Sequence, residues 1–390
     1  MTLRNGYVKA LLAGAWMGLL ALPFAGAGTA IKIAAAVAAG GLAVSLLAGL
    51  KRSGALSALT KVSMAATGEA EKFTSGPRKV VAVIAILAFL AVLPYFANRY
   101  TLDLATQTGI YIVLAFGLNI VVGQTGLLVL GYVAFYAVGA YTYAILATGH
   151  GMDFWPALPI AAFVAGIFGL FLGAPTLRLR GDYLAIVTLG FGEITRIVLN
   201  NWDGLTGGPN GISGVPRPSM GPLAFTSLSH FYFLVLAMLV LTVFVVRRLN
   251  DSRVGRAWIA IREDEVAAEA MGVNTTAMKL LAFALGAMLA GLAGVFYVAK
   301  MGFVSPESFN FLESITILCM VVLGGMGSIP GVILGAVILY LLPEALREFQ
   351  QFRMLAFGGA LVAIMVFRPQ GFIGTKRRKI ELASGEAEGL

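Results

Sequence analysis

The sequence predicts an all-α polytopic membrane protein. Three observations carry this. Hydrophobic residues make up 59% of the 390 residues, above the roughly 45–50% of soluble domains. Apolar runs of about 18 residues or more recur along the chain, the length that crosses about 30 Å of hydrocarbon as a helix. The runs are continuously apolar rather than alternating, which argues against a membrane β-barrel.

Candidate spans follow in order at 7–26, 31–50, 80–97, 103–121, 127–147, 156–174, 183–199, 230–246, 277–298, 312–325, 330–343 and 354–367. The first has the basic flank Arg4/Lys9 and an Ala-Gly-Ala exit, so it mimics a secretory signal. A second apolar run follows almost at once, and a retained hairpin is expected. The polar segment 51–79, with Ser, Thr, Gly and Lys, separates that hairpin from ten further spans. The expected organisation is an accessory transmembrane hairpin at 1–50, a cytoplasmic linker at 51–79, a core at 80–370 with a cytoplasmic loop at 247–276, and a cytoplasmic tail at 371–390. The tail begins basic and ends acidic.

Charge fixes the orientation. With the N-terminus in the cytoplasm and alternating sides, the inside segments hold Arg4, six Lys/Arg in 51–79, two in 178–180, five in 247–262 and five in 368–379. The outside segments hold only Arg99, Arg217, Lys300, Arg347 and Arg353. Nineteen against five is the bias of cytoplasmic loops toward Lys and Arg. It accounts for the net charge of +9 without nucleic acid, and it places both termini in the cytoplasm.

Glycines recur at helix–helix spacing. Gly327, Gly331 and Gly335 lie four apart, as do Gly169 and Gly173, and such faces let helix backbones approach closely. Packing within one bundle is the expected use. The similar turns "VVGQTGLLVLG" and "VLGGMGSIPG" hint at internal duplication. Spans 183–199 and 312–325 are short and bounded by glycines, the feature that points to a central pathway in transporters.

Enzymatic constellations are missing from the sequence. There is no GxxxxGK[ST] phosphate loop, so the chain is not expected to hydrolyse ATP itself. Neither HExxH nor GxSxG occurs. His150 and His230 sit in no metal-ligand pattern, and Cys319 has no intrachain partner. No cofactor is expected. Within the spans, Glu193 and Arg196 lie three apart on one helix and can pair; an ionisable group at such a position is a candidate for the translocation path. Asp103 and Glu313 fall at span ends and read as interfacial. The outer loop 200–218, "NNWDGLTGGPNGISGVPRP", carries Asn200, Trp202, Asp203, Gly207 and Gly208. It reads either as an interfacial anchor or as an external gate or docking surface.

The most unusual segment is "RVGRAWIAIREDEVAAEAMGVN", residues 253–274, charged and cytoplasmic by parity. Asp264 suits a helix N-cap and Gly272 the position just past a helix end, so 265–271 reads as a short helix with Glu265 in its first turn. Val254, Ala257 and Ile261 recur at three and four, giving a second short helix with one apolar face. Arg253, Arg256 and Arg262 are free to meet acidic partner groups or lipid headgroups. The pair Ala267/Ala268 offers a smooth face for a partner's groove.

"VAAEAMG" resembles the EAA loop of ABC-importer permeases. Ala267, Ala268 and Gly272 match, whereas Val266 stands where that loop has glutamate. This departure is typical of the permease family serving branched-chain amino acids, urea and some sugars. "GRAWIAIREDEVAAEAMGV" resembles that family's version, as do "GLNIVVGQTGLLVLGYVAFYAVGAY" (117–141) and "LRLRGDYLAIVTLGFGEITRIVLNNWDGLTGGPNGI" (177–212). With the extra hairpin, the chain looks like the longer permease subunit of a branched-chain amino acid importer. The resemblance implies a type II ABC-importer-like ten-helix core in the bacterial inner membrane. It also implies a sister permease subunit, two cytoplasmic ABC ATPase subunits and a periplasmic or lipid-anchored substrate-binding protein. Arg256, Ala257, Ile261, Arg262, Glu265, Ala267, Ala268 and Gly272 then become candidate ATPase-coupling residues. A urea or other small-solute permease remains open at this point, as does an ATPase-independent transporter or channel.

Overall fold

The structure, a computed structural model, describes residues 77–176, 179, 181–220, 223–224, 227–345, 358–359, 362 and 371–373. The expected hairpin at 1–50, nearly all of the linker and tail, and most of span 354–367 lie outside them. The chain divides into two compact units, Met1–Leu90 and Ala91–Leu390, and the second holds the helical bundle.

The described residues are predominantly helical. We number the helices α1 (Pro77–Phe96), α2 (Arg99–Leu118), α3 (Val133–Gly149), α4 (Phe154–Thr176), α5 (Asp182–Asn201), α6 (Leu228–Asp251), α7 (Arg253–Glu263), α8 (Glu265–Ala270), α9 (Thr275–Met301), α10 (Phe311–Gly324) and α11 (Ile329–Ala345). A π-helical turn, Asn119–Gln124, continues α2. Strand β1 (Ile212–Ser213) pairs antiparallel with β4 (Phe303–Val304), and β2 (Ser219–Met220) with β3 (Leu223–Ala224). Among the described residues, four segments are long and apolar enough to cross a membrane: Arg99–Gln124, Phe154–Thr176, Leu228–Asp251 and Thr275–Met301. Shorter apolar helices include α3, α10 and most of α11.

Helix α9 is the axis of the packing, lying along α4, α3 and α2. Its sequence explains why. Ala282, Gly286, Ala287, Ala290, Gly291, Ala293 and Gly294 are buried, and small residues permit backbone-to-backbone approach. A Cβ at Gly139 of α3 would run into the backbone of Gly291, and one at Gly286 into that of Gly117. The glycines singled out in the sequence serve this packing. Gly169 and Gly173 face Ala287, Phe283 and Leu280 of α9, and Gly331 and Gly335 face α10. Gly327 is a correction: it precedes α11 in a turn, with φ +82°, rather than sharing the helix face.

A second correction concerns span 127–147. The helix begins only at Val133. Tertiary contacts hold the preceding stretch away from helical form: the Leu130 amide donates to Thr188 Oγ1 at 3.1 Å, and Gly131 backs onto the Thr188 carbonyl. The run is apolar because protein covers it; irregular backbone at such positions survives only under such cover.

Candidate functional site

Segment 253–274 is built by caps. Ser252 ends α6 and starts α7, its hydroxyl accepting from the Val254 and Gly255 amides at 3.2 and 3.3 Å. Asp264 caps α8 by accepting from the Ala267 amide at 3.0 Å, as expected of a short acidic side chain there. Helix α8 stops at Ala270, and Gly272 follows with φ +83°. Its amide donates to the Glu269 carbonyl at 2.9 Å, and that of Val273 to the Ala268 carbonyl at 3.1 Å, the wrapped ending that a left-handed residue allows. Asn274 then caps α9 through the Ala277 amide at 3.0 Å. The two short helices and their cap and stop residues are those the sequence indicates.

Side chains then fasten the segment to the bundle. Trp258 is fully buried, and its indole Nε1–H donates to the Met278 carbonyl at 2.7 Å. Ile261 and Ala268 are buried beside it. Glu265 pairs with Lys279 of α9 at 2.6 Å, with Lys279 only 4% exposed. The Arg262 guanidinium donates to the Gly123 carbonyl of the π-turn. Arg262 reaches the π-turn while still exposed, and Glu265 is half-buried, so each has a partner in the bundle without being withdrawn from the surface. Arg256 stays exposed, donating to the Asp251 carbonyl at 3.1 Å. Ala257 is half-buried. The alanine pair splits: Ala268 is buried and Ala267 exposed, because successive residues on a helix point about 100° apart. Outward the segment offers the charged Arg253, Arg256, Arg262, Glu263 and Glu269 together with the apolar Ile259, Val266 and Met271, which are 50%, 64% and 85% exposed.

The loop after α5 is built from backbone. Trp202 closes α5 and stays half exposed. A single turn, Asp203–Thr206, follows, and Gly207 has φ +72°. The buried Thr206 hydroxyl donates to the Leu199 carbonyl at 2.6 Å. A Cβ at Gly208 would meet the Asp203 carboxylate, so Asp203, Gly207 and Gly208 are brought together. Asn200 is half-buried at the end of α5. Gly211 then turns the chain into β1, and the loop is tied to the end of α9 by the β1–β4 pair and the Val215 amide, which donates to the Gly302 carbonyl at 3.1 Å.

Glu193 and Arg196 do pair on α5, Nε lying 3.0 Å from Oε1. Both side chains remain partly exposed. Glu193 borders a shallow cleft whose walls are Leu130, Val133, Leu189, Phe309 and Phe311, with Ser314 at its edge. Arg196 and Glu193 precede Trp202 by about 9 and 13 Å of helix rise. The residues named together in the sequence therefore form two places, a cleft and a loop. Asp103 and Glu313 are engaged rather than simply interfacial: Asp103 pairs with Lys300 at 3.0 Å, and Glu313 accepts from the Tyr111 hydroxyl.

Sequence reasoning missed four contributors: Trp258, Lys279, Thr206 and the π-turn. Trp258 stands four residues after Val254 and three before Ile261, in register with the apolar face, and a tryptophan there is the signal. Lys279 is visible as a charge near the start of an apolar helix. Nothing in the sequence marks Asn119–Gln124 as π-helical.

A bundle of apolar helices on a glycine-lined axis, carrying a separate capped pair of polar helices, defines a helical membrane permease. The chain belongs to the family described as branched-chain amino acid transport system / permease component, whose model matches residues 100–367. It is 46% identical over 356 residues to the high-affinity branched-chain amino acid transport system permease protein LivM of Salmonella typhimurium (strain LT2), covering 82% of this chain and 84% of that protein. To LivM of Escherichia coli (strain K12) it is 47% identical over 330 residues, covering 79% and 78%. To the permease protein LivH of the same strain it is 28% identical over 286 residues, covering 68% and 91%. No solved structure matches the chain.

Proposed function

We propose that this chain is a permease subunit of an ATP-driven importer of branched-chain amino acids: leucine, isoleucine and valine. The observation that carries this is identity of 46–47% along about four-fifths of two proteins named for that transport. In this reading a ten-helix core and an N-terminal hairpin sit in the bacterial inner membrane with both termini in the cytoplasm. The linker 51–79 joins hairpin to core, and the tail 371–390 follows the core. A sister permease completes the path, a substrate-binding protein delivers from outside, and two ATPases drive the cycle from inside. Each of these, and ATP, must favour one state of the bundle over another for access to alternate.

Residues 253–274 are the proposed ATPase-docking element. The exposed Ile259, Val266 and Met271 on a charged segment are the kind of apolar patch that a partner covers. Glu193, Arg196 and the cleft beside them are the proposed path, and Asn200–Gly208 the proposed outer gate or delivery surface.

The test is uptake into vesicles holding the reconstituted complex, with radiolabelled leucine and urea, with and without ATP. Leucine uptake is expected to require ATP and to be competed by isoleucine and valine, with urea excluded. Leucine flux that ignores ATP, or urea carried in its place, overturns the reading. A Val266→Asp variant is expected to insert normally and to lose the ATPases in a pull-down; their full retention removes 253–274 from the docking role.

A further inference from the structure

Within the segment proposed to dock the ATPases, one exposed side chain, Arg262, reaches an unusual place in the bundle. The π-turn Asn119–Gln124 is buried throughout. Three separate parts of the chain hold it. Asn119 Oδ1 accepts from the Gly327 amide at 2.8 Å, in the turn between α10 and α11. The Gln124 amide donates to Asn250 in the last turn of α6. The Gly123 carbonyl accepts from Arg262 of α7, whose aliphatic stem lies over Gly126 so closely that a Cβ there would come within 3.1 Å of it.

This chemistry suits a grip on a helix end. The last carbonyls of a helix lack intrahelical partners and form the negative end of its dipole, which a guanidinium complements. The turn is also incompletely satisfied. Asn119 Nδ2 and Gln124 Oε1 are buried without a hydrogen-bond partner among the described residues, and such atoms carry a cost of about 1–3 kcal/mol each. π-turns are inherently rare and concentrate at functional sites. They hold one residue more than an α-turn over the same path, so re-forming an α-turn there would shift the register of α2 by one residue.

We propose that Arg262 is the positioning residue through which movement of α7–α8 reaches α2, with the π-turn Asn119–Gln124 as the element that changes. This rests on the reading of 253–274 as the ATPase-docking segment. Docking belongs to the outward Ile259, Val266 and Met271; transmission belongs to Arg262. Helix α2 in turn lies against α9, α6 and α11, so a change at its end reaches the helices of the bundle core.

The test uses the whole reconstituted complex of both permeases, ATPases and binding protein, reading ATPase pull-down, ATP hydrolysis and leucine uptake together. Arg262→Ala is expected to keep the ATPases bound and hydrolysing, while uptake per ATP falls about tenfold, within the range of typical coupling free energies. Arg262→Lys, keeping the charge and a donor, is expected to recover most of the loss. Arg262→Gln stands in for the alanine variant if that one lowers the amount of folded permease. Unchanged uptake per ATP in Arg262→Ala makes the contact inert and overturns the proposal. Loss of the ATPases from both the alanine and lysine variants makes Arg262 a docking residue and overturns it too. Wild-type uptake that ignores ATP overturns the docking reading itself, before any variant is compared.

Discussion

The proposed cytoplasmic segment 252–274 and the proposed outer loop 202–215 are both short excursions between helices of the bundle, and they are held by opposite means. Segment 252–274 is fastened by side chains: a buried indole, an ion pair and a guanidinium, with capping side chains at each corner. Loop 202–215 is fastened mainly by backbone, with glycines at positive φ and a two-residue antiparallel pair, plus one threonine hydroxyl. A segment anchored by side chains can be pulled as a rigid lever, since its internal shape is set by its own caps. A segment laid down by backbone hydrogen bonds follows whatever it is paired with, here the C-terminal end of α9.

The largest effect that separates the two is expected from Trp258→Ala. Removing a fully buried tryptophan costs roughly 3–5 kcal/mol, and here it also strips the Met278 carbonyl of its indole donor. Opening is expected to stay local to α7–α8. Hydrogen exchange reads it: the amides of α7 and α8 should exchange much faster, while the Val215 amide in the 202–215 loop, bound to the Gly302 carbonyl, keeps its wild-type rate. Equal acceleration at both sites breaks the comparison, because the two regions would then open as one.

The same contrast explains what the sequence made legible. Capping is a local rule, so Asp264, Gly272 and the two short helices could be read from single residues and their spacing. Helical periodicity located α2, α4, α6 and α9 to within a few residues. The run 127–132 is apolar enough for a span, yet Thr188 and the close approach of Gly131 to α5 keep it irregular, and no local pattern reports a contact some 58 residues away. The split of Ala267 from Ala268, and the partners that Arg262 and Glu265 find, likewise depend on where α9 and the π-turn lie. The family was legible because its motifs are contiguous; the fastening of the site was not, because its partners are distant in sequence.

The outer loop offers the next effect. Gly211 has φ +66° and ψ −163°, a region open essentially to glycine alone, and a Cβ there would run into the Val304 carbonyl of β4. Gly211→Ala is expected to cost roughly 1–3 kcal/mol of local strain and to release β1 from β4. Hydrogen exchange within residues 211–215 should rise, with residues 252–274 unaffected. A loop that stays protected in this variant is held by Thr206 and the Val215–Gly302 contact more than by the strand pair, which shifts the outer anchor from backbone toward side chain.

The smallest effect tests whether α8 depends on its own cap. Asp264→Ala removes the acceptor for the Ala267 amide, a loss of about 1 kcal/mol for an N-cap. Asp264→Asn keeps an acceptor oxygen and is expected to behave nearly as wild type. Hydrogen exchange at the Ala267 and Ala268 amides is the suitable readout, with a rise of about fivefold expected for 1 kcal/mol of local opening. Trp258 and the Glu265–Lys279 pair should hold the rest of the segment, so exchange in α7 should not change. If α7 and α8 loosen together in Asp264→Ala, the cap is setting the angle between the helices and the inward anchors follow from it. If neither moves, the anchors alone define the segment, and Asp264 at the start of α8 matters for its charge rather than for its hydrogen bond.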